Sequence, residues 1–287
     1  MGGYRVAVLS FWSNSKKETG QTLSIVAIAT YMSVEYNYKT LVIDATLNDD
    51  TIQRCFWNQD INKDIKKALN KGKLDIASGT EGLISAIASN KTTPEIISNY
   101  TKVVFKNRLD ILLGLQTTSI SEHEKNLQLY VDLIKAANQY YDLVIVDLSK
   151  TLERETTHKI LQISDVIMYT MSQNLKQINE YIESRNTIAE LSRKNVIPLL
   201  GSTNSYCKYN PKNVASFIKD KELAYIAYNN TFLEAASEAK VANFFLNTRI
   251  NKKVLDRNSQ FLESVAYSSQ KVIHKFEEIK YGKVSHS

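Results

Sequence analysis

Glycine, proline and cysteine are scarce in this chain: nine, three and two of 287 residues. Collagen-like, disordered and disulfide-stapled classes are thereby excluded. Two cysteines in so long a chain fit a reducing compartment, so a cytoplasmic protein is expected. No apolar run approaches the ~18 to 20 residues that a spanning helix needs. The stretch Val6 to Trp12 is too short, and too quickly followed by polar residues, to be a secretory signal. The four histidines, His123, His158, His274 and His286, lie far apart without metal-ligand spacing. With no Gly-x-Ser-x-Gly elbow, a hydrolase triad has no anchor. Internal repeats and a Pro- or Gly-rich linker are also missing.

What is present is a chain 43% hydrophobic and 23% charged, long enough to bury a large core. Short β-rich apolar runs alternate with longer segments of helical period. Strands are expected at Tyr4 to Phe11, Thr40 to Ile43, Leu109 to Leu113, Leu143 to Val146, Val166 to Tyr169, Val196 to Leu200 and Ala224 to Ala227. Helices are expected at Thr22 to Tyr36, at Gly82 to Ala88, and from the Ser121/Glu124 capping-box pair to about Asn138. A further helix aligns Ile178, Ile182, Arg185 and Ala189, and a closing one spans about Ser259 to Lys280. This alternation predicts a three-layer, doubly wound α/β fold on a mainly parallel sheet, as a single domain over 1–287. Ligands of such sheets bind beyond the carboxyl ends of the strands. That rule picks out the loop after the first strand, Asp44 and Asp147.

The net charge of +6 is uneven, since residues 240–287 hold nine basic side chains against four acidic ones. Arg249, Lys252, Lys253 and Arg257 cluster there, interrupted by Asp256. Such an end suits nucleic acid, acidic lipid or an acidic protein partner, and equally a solvated helix face.

The loop after the first strand reads Ser13-Asn14-Ser15-Lys16-Lys17-Glu18-Thr19-Gly20-Gln21-Thr22-Leu23. Between a strand and a helix it stands where a phosphate-binding loop belongs, because helix N-terminal amides favour anions. Gly20 lets the backbone turn close to a phosphate, and the Thr22 hydroxyl suits magnesium. A plain polar turn is the alternative for Gly-x-Thr by itself. The order of elements resembles the ParA/MinD family of P-loop ATPases, whose deviant Walker A motif reads K-G-G-x-G-K-T. Lys16 takes the place of the first lysine, Gly20 of the last glycine and Thr22 of the metal-binding threonine. Leu41-Val42-Ile43-Asp44 is similar to the family's second strand, and Tyr141-Asp142-Leu143-Val144-Ile145-Val146-Asp147 to its Walker B strand. Ser164-Asp165-Val166-Ile167 is similar to the following strand entry, and the segment Ala227 to Ala236 to the P-x-D-x-x-x-x-x-A stretch beside the base. The tail of this pattern looks closest to the pilus- and conjugation-associated, CpaE/TadZ-like branch.

The resemblance implies an ATP-binding, dimerising switch protein that positions or assembles cargo: a pilus, secretion or conjugation apparatus, or DNA. Nucleotide would be held by Lys16, Lys17, Thr19, Gly20, Gln21, Thr22 and Leu23, with Asn204 and Asn229 near the base; loop asparagines also satisfy local turns. Magnesium would be organised by Thr22, Asp44 and Asp147. Lys16 would cross a homodimer interface to the partner's phosphates, or stand as an exposed loop lysine. Arg249, Lys252, Lys253 and Arg257 are the residues that nonspecific DNA would meet.

Several family positions are changed. Gln21 stands where the P-loop lysine is expected and brings hydrogen-bond donors without charge. Lys17 and Glu18 replace glycines. Thr46 occupies the position of the second aspartate and cannot serve as a carboxylate base. Leu148-Ser149-Lys150 lacks the glycine usual after Asp147. Binding with weak or absent hydrolysis is therefore expected, the alternatives being a pseudo-ATPase scaffold and a DNA-partition ATPase.

Overall fold

Unbroken runs of Val, Ile and Leu demand apolar cover on both faces, and the chain supplies it by returning to the same sheet after each helix. The computed structural model describes residues 7–15, 19–46, 49–58, 79–89, 94–115, 120–148, 154–193 and 195–282. Eight strands form one sheet: β1 (Ala7–Trp12), β2 (Thr40–Ala45), β3 (Lys102–Phe105), β4 (Leu109–Leu112), β5 (Leu143–Leu148), β6 (Val166–Met171), β7 (Asn195–Thr203) and β8 (Ala224–Ala227). Their spatial order is β3-β4-β2-β5-β1-β6-β7-β8. All neighbours run parallel except β3 and β4. β2, β5 and β6 are buried along their whole length.

Helices cover both faces and split the core in two, because successive strand residues point to opposite sides. One layer holds α1 (Gln21–Glu35), α2 (Thr51–Phe56), α9 (Asn230–Ser237), α10 (Val241–Ile250) and α11 (Lys252–Gly282). It packs on Leu9, Val42, Ile145 and Met168, and Phe232 stacks on Phe261 with ring centroids 4.7 Å apart. The other layer holds α3 (Gly79–Ala88), α4 (Ile120–Ala137), α5 (Arg154–Ile163), α6 (Leu175–Thr187), α7 (Ala189–Arg193) and α8 (Pro211–Ile218). It packs on Val8, Ile43, Val144, Val146 and Ile167. The fold is thus a three-layer α/β architecture on a mainly parallel sheet, and no helix among the described residues is long and apolar enough to cross a membrane.

Each edge of the sheet is protected differently. β3 carries exposed Lys102 and Val103 and a register shift before Phe105, devices that discourage further strand pairing. On β8 the outward backbone groups are satisfied by serines of α11. Ser268 Oγ accepts from Tyr225 N–H (3.1 Å) and donates to Tyr225 C=O (2.8 Å), while Ser264 Oγ accepts from Ala227 N–H (2.9 Å).

The sequence reading differs from this structure in local ways. β3 was not anticipated, being four residues long and half exposed, and it is the sheet's antiparallel member. The helix read through Ala189 ends at Thr187, and Ile188 is extended before α7 begins. α11 starts at Lys252, where Asn251 accepts from Lys253 N–H, well before Ser259. Residues 4–6 of the first expected strand, and the Ser121 and Glu124 side chains, lie outside what is described.

Candidate phosphate and metal site at the strand ends

β1 has β5 on one side and β6 on the other, so the chain departs in opposite directions across it. A crevice opens at such a reversal, at the carboxyl ends of the strands. The loop from β1 to α1 lies there. Its last residue, Gly20, caps α1 in the left-handed conformation (φ 72°) and has no side chain to bond the helix's first amides. Only glycine adopts this geometry without strain. The close approach is reciprocated from β7. A Cβ on Gly201 would lie 2.1 Å from the Thr19 carbonyl oxygen, so the loop rests directly on the β7 backbone. Ser202 next to it is also left-handed (φ 55°), and the β7–β8 register shifts there. The sequence reading gave Gly201 no role, although a glycine inside an apolar strand signals close backbone approach.

Two carboxylates end adjacent strands in register, Asp44 on β2 and Asp147 on β5. Both are buried. Thr22 Oγ1 donates to Asp147 Oδ2 (2.9 Å), and Gln21 Nε2 donates to Asp147 Oδ1 (2.6 Å) and to the Leu148 carbonyl (2.9 Å). Asp44 Oδ1 accepts from the Thr46 N–H (2.9 Å) and hydroxyl (2.6 Å). Gly114, just after β4, fits against this carboxylate; a Cβ there would be 3.0 Å from Asp44 Cγ. Burial, reinforced by the neighbouring Asp147 and opposed by Thr46, pushes the Asp44 carboxyl up to about 7. Burial raises Asp147 to about 6 against the bonds from Gln21 and Thr22. Two unneutralised carboxylates in a low-dielectric site repel, and a cation between them relieves both. The Tyr130 hydroxyl, within electrostatic reach of Asp44, is buried without a hydrogen-bond partner among the described residues.

The structure therefore brings Thr19, Gly20, Gln21, Thr22, Leu23, Asp44 and Asp147 to one strand-end crevice. Lys16 and Lys17 lie outside the described residues. Asn204 and Asn229 are on neighbouring loops, but local structure occupies their side chains. Asn204 Oδ1 accepts from Tyr206 N–H (2.9 Å). Asn229 Oδ1 caps α9 through Phe232 N–H (2.7 Å), and its amide donates to Asn258 Oδ1 (3.0 Å). The niche beside Gly20, lined also by Leu23, Ser202, Tyr228 and Phe232, measures about 30 Å³. That is far below the roughly 300 to 1,000 Å³ of typical ligand pockets, so the niche as it stands is small for a purine. Arg249, Lys252, Lys253 and Arg257 sit apart, at the α10–α11 corner. Arg249 pairs with Glu35 (3.2 Å), whereas the other three are exposed.

The oxygen set fits magnesium. Mg²⁺ prefers hard oxygen ligands and is commonly held by one or two carboxylates with phosphate and water. Among the described residues no three or more His, Cys, Asp or Glu side chains form a metal cluster of their own; the hard oxygen donors at this crevice are those of Thr22, Asp147 and Asp44.

No family model matches the sequence, and no curated protein matches it. Solved structures do. A ParA family ATPase from Chlorobium tepidum TLS aligns over 93% of this chain and 99% of its own, with a TM-score of 0.64 and 15% identity. A plasmid-partition-type protein from Borrelia burgdorferi B31, bound to AMPPNP, aligns over 94% and 99%, with a TM-score of 0.60 and 15% identity. The septum site-determining protein MinD of Pyrococcus horikoshii OT3, complexed with Mg-ADP, aligns over 91% and 94%, with a TM-score of 0.62 and 13% identity. The fold is that of the ParA/MinD P-loop ATPases. In this fold Gly20, Thr22 and Asp147 lie together at the carboxyl ends of β1 and β5.

Proposed function

We propose that this protein is a ParA/MinD-type switch that binds ATP with magnesium, hydrolyses it slowly or not at all, and as a homodimer positions or assembles cargo. The observation that carries the reading is the Thr22 hydroxyl 2.9 Å from Asp147 Oδ2, at the amino end of α1 and beside Asp44. This places hard oxygen donors next to the first amides of α1, the combination a metal-bound polyphosphate needs, with the Gln21 N–H already donating to Thr19 Oγ1 (3.4 Å). Gly20, Gln21, Thr22 and Leu23 offer the amides, and Thr22, Asp147 and Asp44 would hold the ion. When bound, magnesium would neutralise phosphate charge. Lys16 would reach the partner subunit's phosphates. Gln21 contributes donors and no charge, and its amide is engaged by Asp147, so stabilisation of the transition state is weak. Thr46 is tied to Asp44 and supplies no base. Support for nucleotide also comes from the AMPPNP and Mg-ADP held by two proteins of the same fold. The cargo fits a pilus, secretion or conjugation apparatus of the CpaE/TadZ-like kind.

A pseudo-ATPase scaffold is the second reading, favoured by the Gln21–Asp147 contact and the small niche beside Gly20. Thermal denaturation with ATP and magnesium separates the two. Ligand that binds only the native state raises the melting temperature by mass action. An upward shift at millimolar nucleotide supports the switch, and none supports the scaffold. Gln21→Lys restores the missing ammonium and is expected to enlarge the shift and raise hydrolysis.

A further inference from the structure

A groove of about 520 Å³ runs along the outer side of β8, between α8 and α11, and shares only Ala227 with the niche beside Gly20. Its size lies within the range of about 300 to 1,000 Å³ typical of ligand sites. Lys212 and Lys221 line it, and neither has a carboxylate partner among the described residues. The neighbouring cations differ: Lys271 is paired with Glu222 (3.3 Å), and Lys208 lies over the Tyr209 ring. Among the described residues no carboxylate lines the groove. Its apolar wall is aromatic, with Tyr225 of β8 and Tyr267 of α11 tilted against each other at 5.6 Å, Tyr267 being 39% exposed. Asn210 and Thr203 add polar groups to its lining.

We propose that this groove binds an acidic, extended segment of a partner protein that presents an aromatic side chain. The charge selects for carboxylates, and the paired tyrosines give a ring an edge-on or offset partner. Addition of a strand to β8 is hindered, because Ser268 already bonds the Tyr225 N–H and C=O and Ser264 the Ala227 N–H. Recognition therefore runs through side chains. A small anion is the poorer occupant, since the two lysines are exposed and no buried charge orients it; a peptide spreads many weak contacts along the open length.

The test is calorimetric titration of the full chain with the blocked peptide Asp-Glu-Asp-Trp-Asp-Glu, beside a copy with lysine at every acidic position. Expected is one-to-one binding of the acidic peptide in the micromolar range, none of the basic copy, and a loss of at least tenfold in Lys212→Glu/Lys221→Glu. Tyr267→Ala should weaken binding severalfold. Melting temperatures check that each variant is folded; should the double variant not fold, Lys212→Ala and Lys221→Ala are each expected to weaken binding about threefold. No heat at millimolar peptide, equal binding by the lysine variants, or equal binding of the basic copy overturns the proposal. Saturable binding of phenyl phosphate that displaces the peptide also overturns it, by assigning the groove to a small anion.

Discussion

Asp44 and Asp147 lie side by side in register, equally buried, yet they are held in different ways. Asp44 is bonded by Thr46, two residues on in its own loop. Asp147 is bonded by Gln21 and Thr22 from α1, more than a hundred residues away. One carboxylate is held by local chain geometry and the other by the packing of a helix end on a strand end. The difference teaches where this site is adjustable. Asp44 keeps its partner whatever α1 does, whereas Asp147 loses both of its side-chain donors if the loop before α1 moves. A cation arriving between the two must therefore compete with the Gln21 and Thr22 donors for Asp147, and with Thr46 alone for Asp44.

The largest effect should come from separating the two halves of that arrangement. Gly201→Ala places a Cβ against the Thr19 carbonyl and Gly20 Cα, and because these are all backbone atoms the loop must lift off β7. A loss of about 3 kcal/mol is expected in urea unfolding; an unchanged midpoint would show that the loop does not rest on β7.

Next is the pH dependence, in magnesium-free buffer. Both carboxyls are raised above the unfolded value of about 3.9. The stability they contribute is whole below that pH and is lost as pH rises through about 6 for Asp147 and about 7 for Asp44. Unfolding free energy should fall across this window, and Asp44→Asn should recover on the order of 2 kcal/mol at pH 8. A profile that rises from pH 4 to 8 contradicts the burial argument.

The comparison sharpens with Gln21→Ala against Thr46→Val. Removing Gln21 takes two bonds from a buried pair of acceptors and should cost about 2 kcal/mol at pH 8, while Thr46→Val keeps its N–H bond to Asp44 and should cost about 1 kcal/mol. Equal losses would mean that α1 holds Asp147 no more firmly than Thr46 holds Asp44. The smallest effect on stability, within about 0.5 kcal/mol, is expected for Lys252→Glu with Lys253→Glu, since both side chains are exposed. If that corner carries nonspecific DNA, the same pair abolishes salt-sensitive retention on duplex DNA; wild-type protein that ignores DNA at low salt ends the DNA reading.

Much of the central sheet was legible because its signal is local. Leu41-Val42-Ile43-Asp44 and Leu143-Val144-Ile145-Val146-Asp147 read as covered strands ending in acids, and they are. β3 was not legible, since Lys102 to Phe105 is too short and too exposed for an apolar pattern to emerge. α8 carried a signal that went unread: Asn210 followed by Pro211 is a cap and a first-turn proline, and Asn210 Oδ1 indeed accepts from Asn213 N–H. The fate of Gln21 could not be read at all. The residue type announced a missing charge, but its bond to Asp147 spans 126 positions and depends on which strand lies beside β1.

By itself, then, the sequence determined most of the strand runs, the acids at their ends and the uneven charge, which follow from side-chain type and a period of two or about 3.6 residues. Tertiary structure decided that β5 lies between β1 and β2, that the Thr19 carbonyl meets Gly201, and that Ser264 and Ser268 seal β8. Those outcomes depend on the three-dimensional order of strands and on backbone approaches of a few ångströms, which no local pattern encodes.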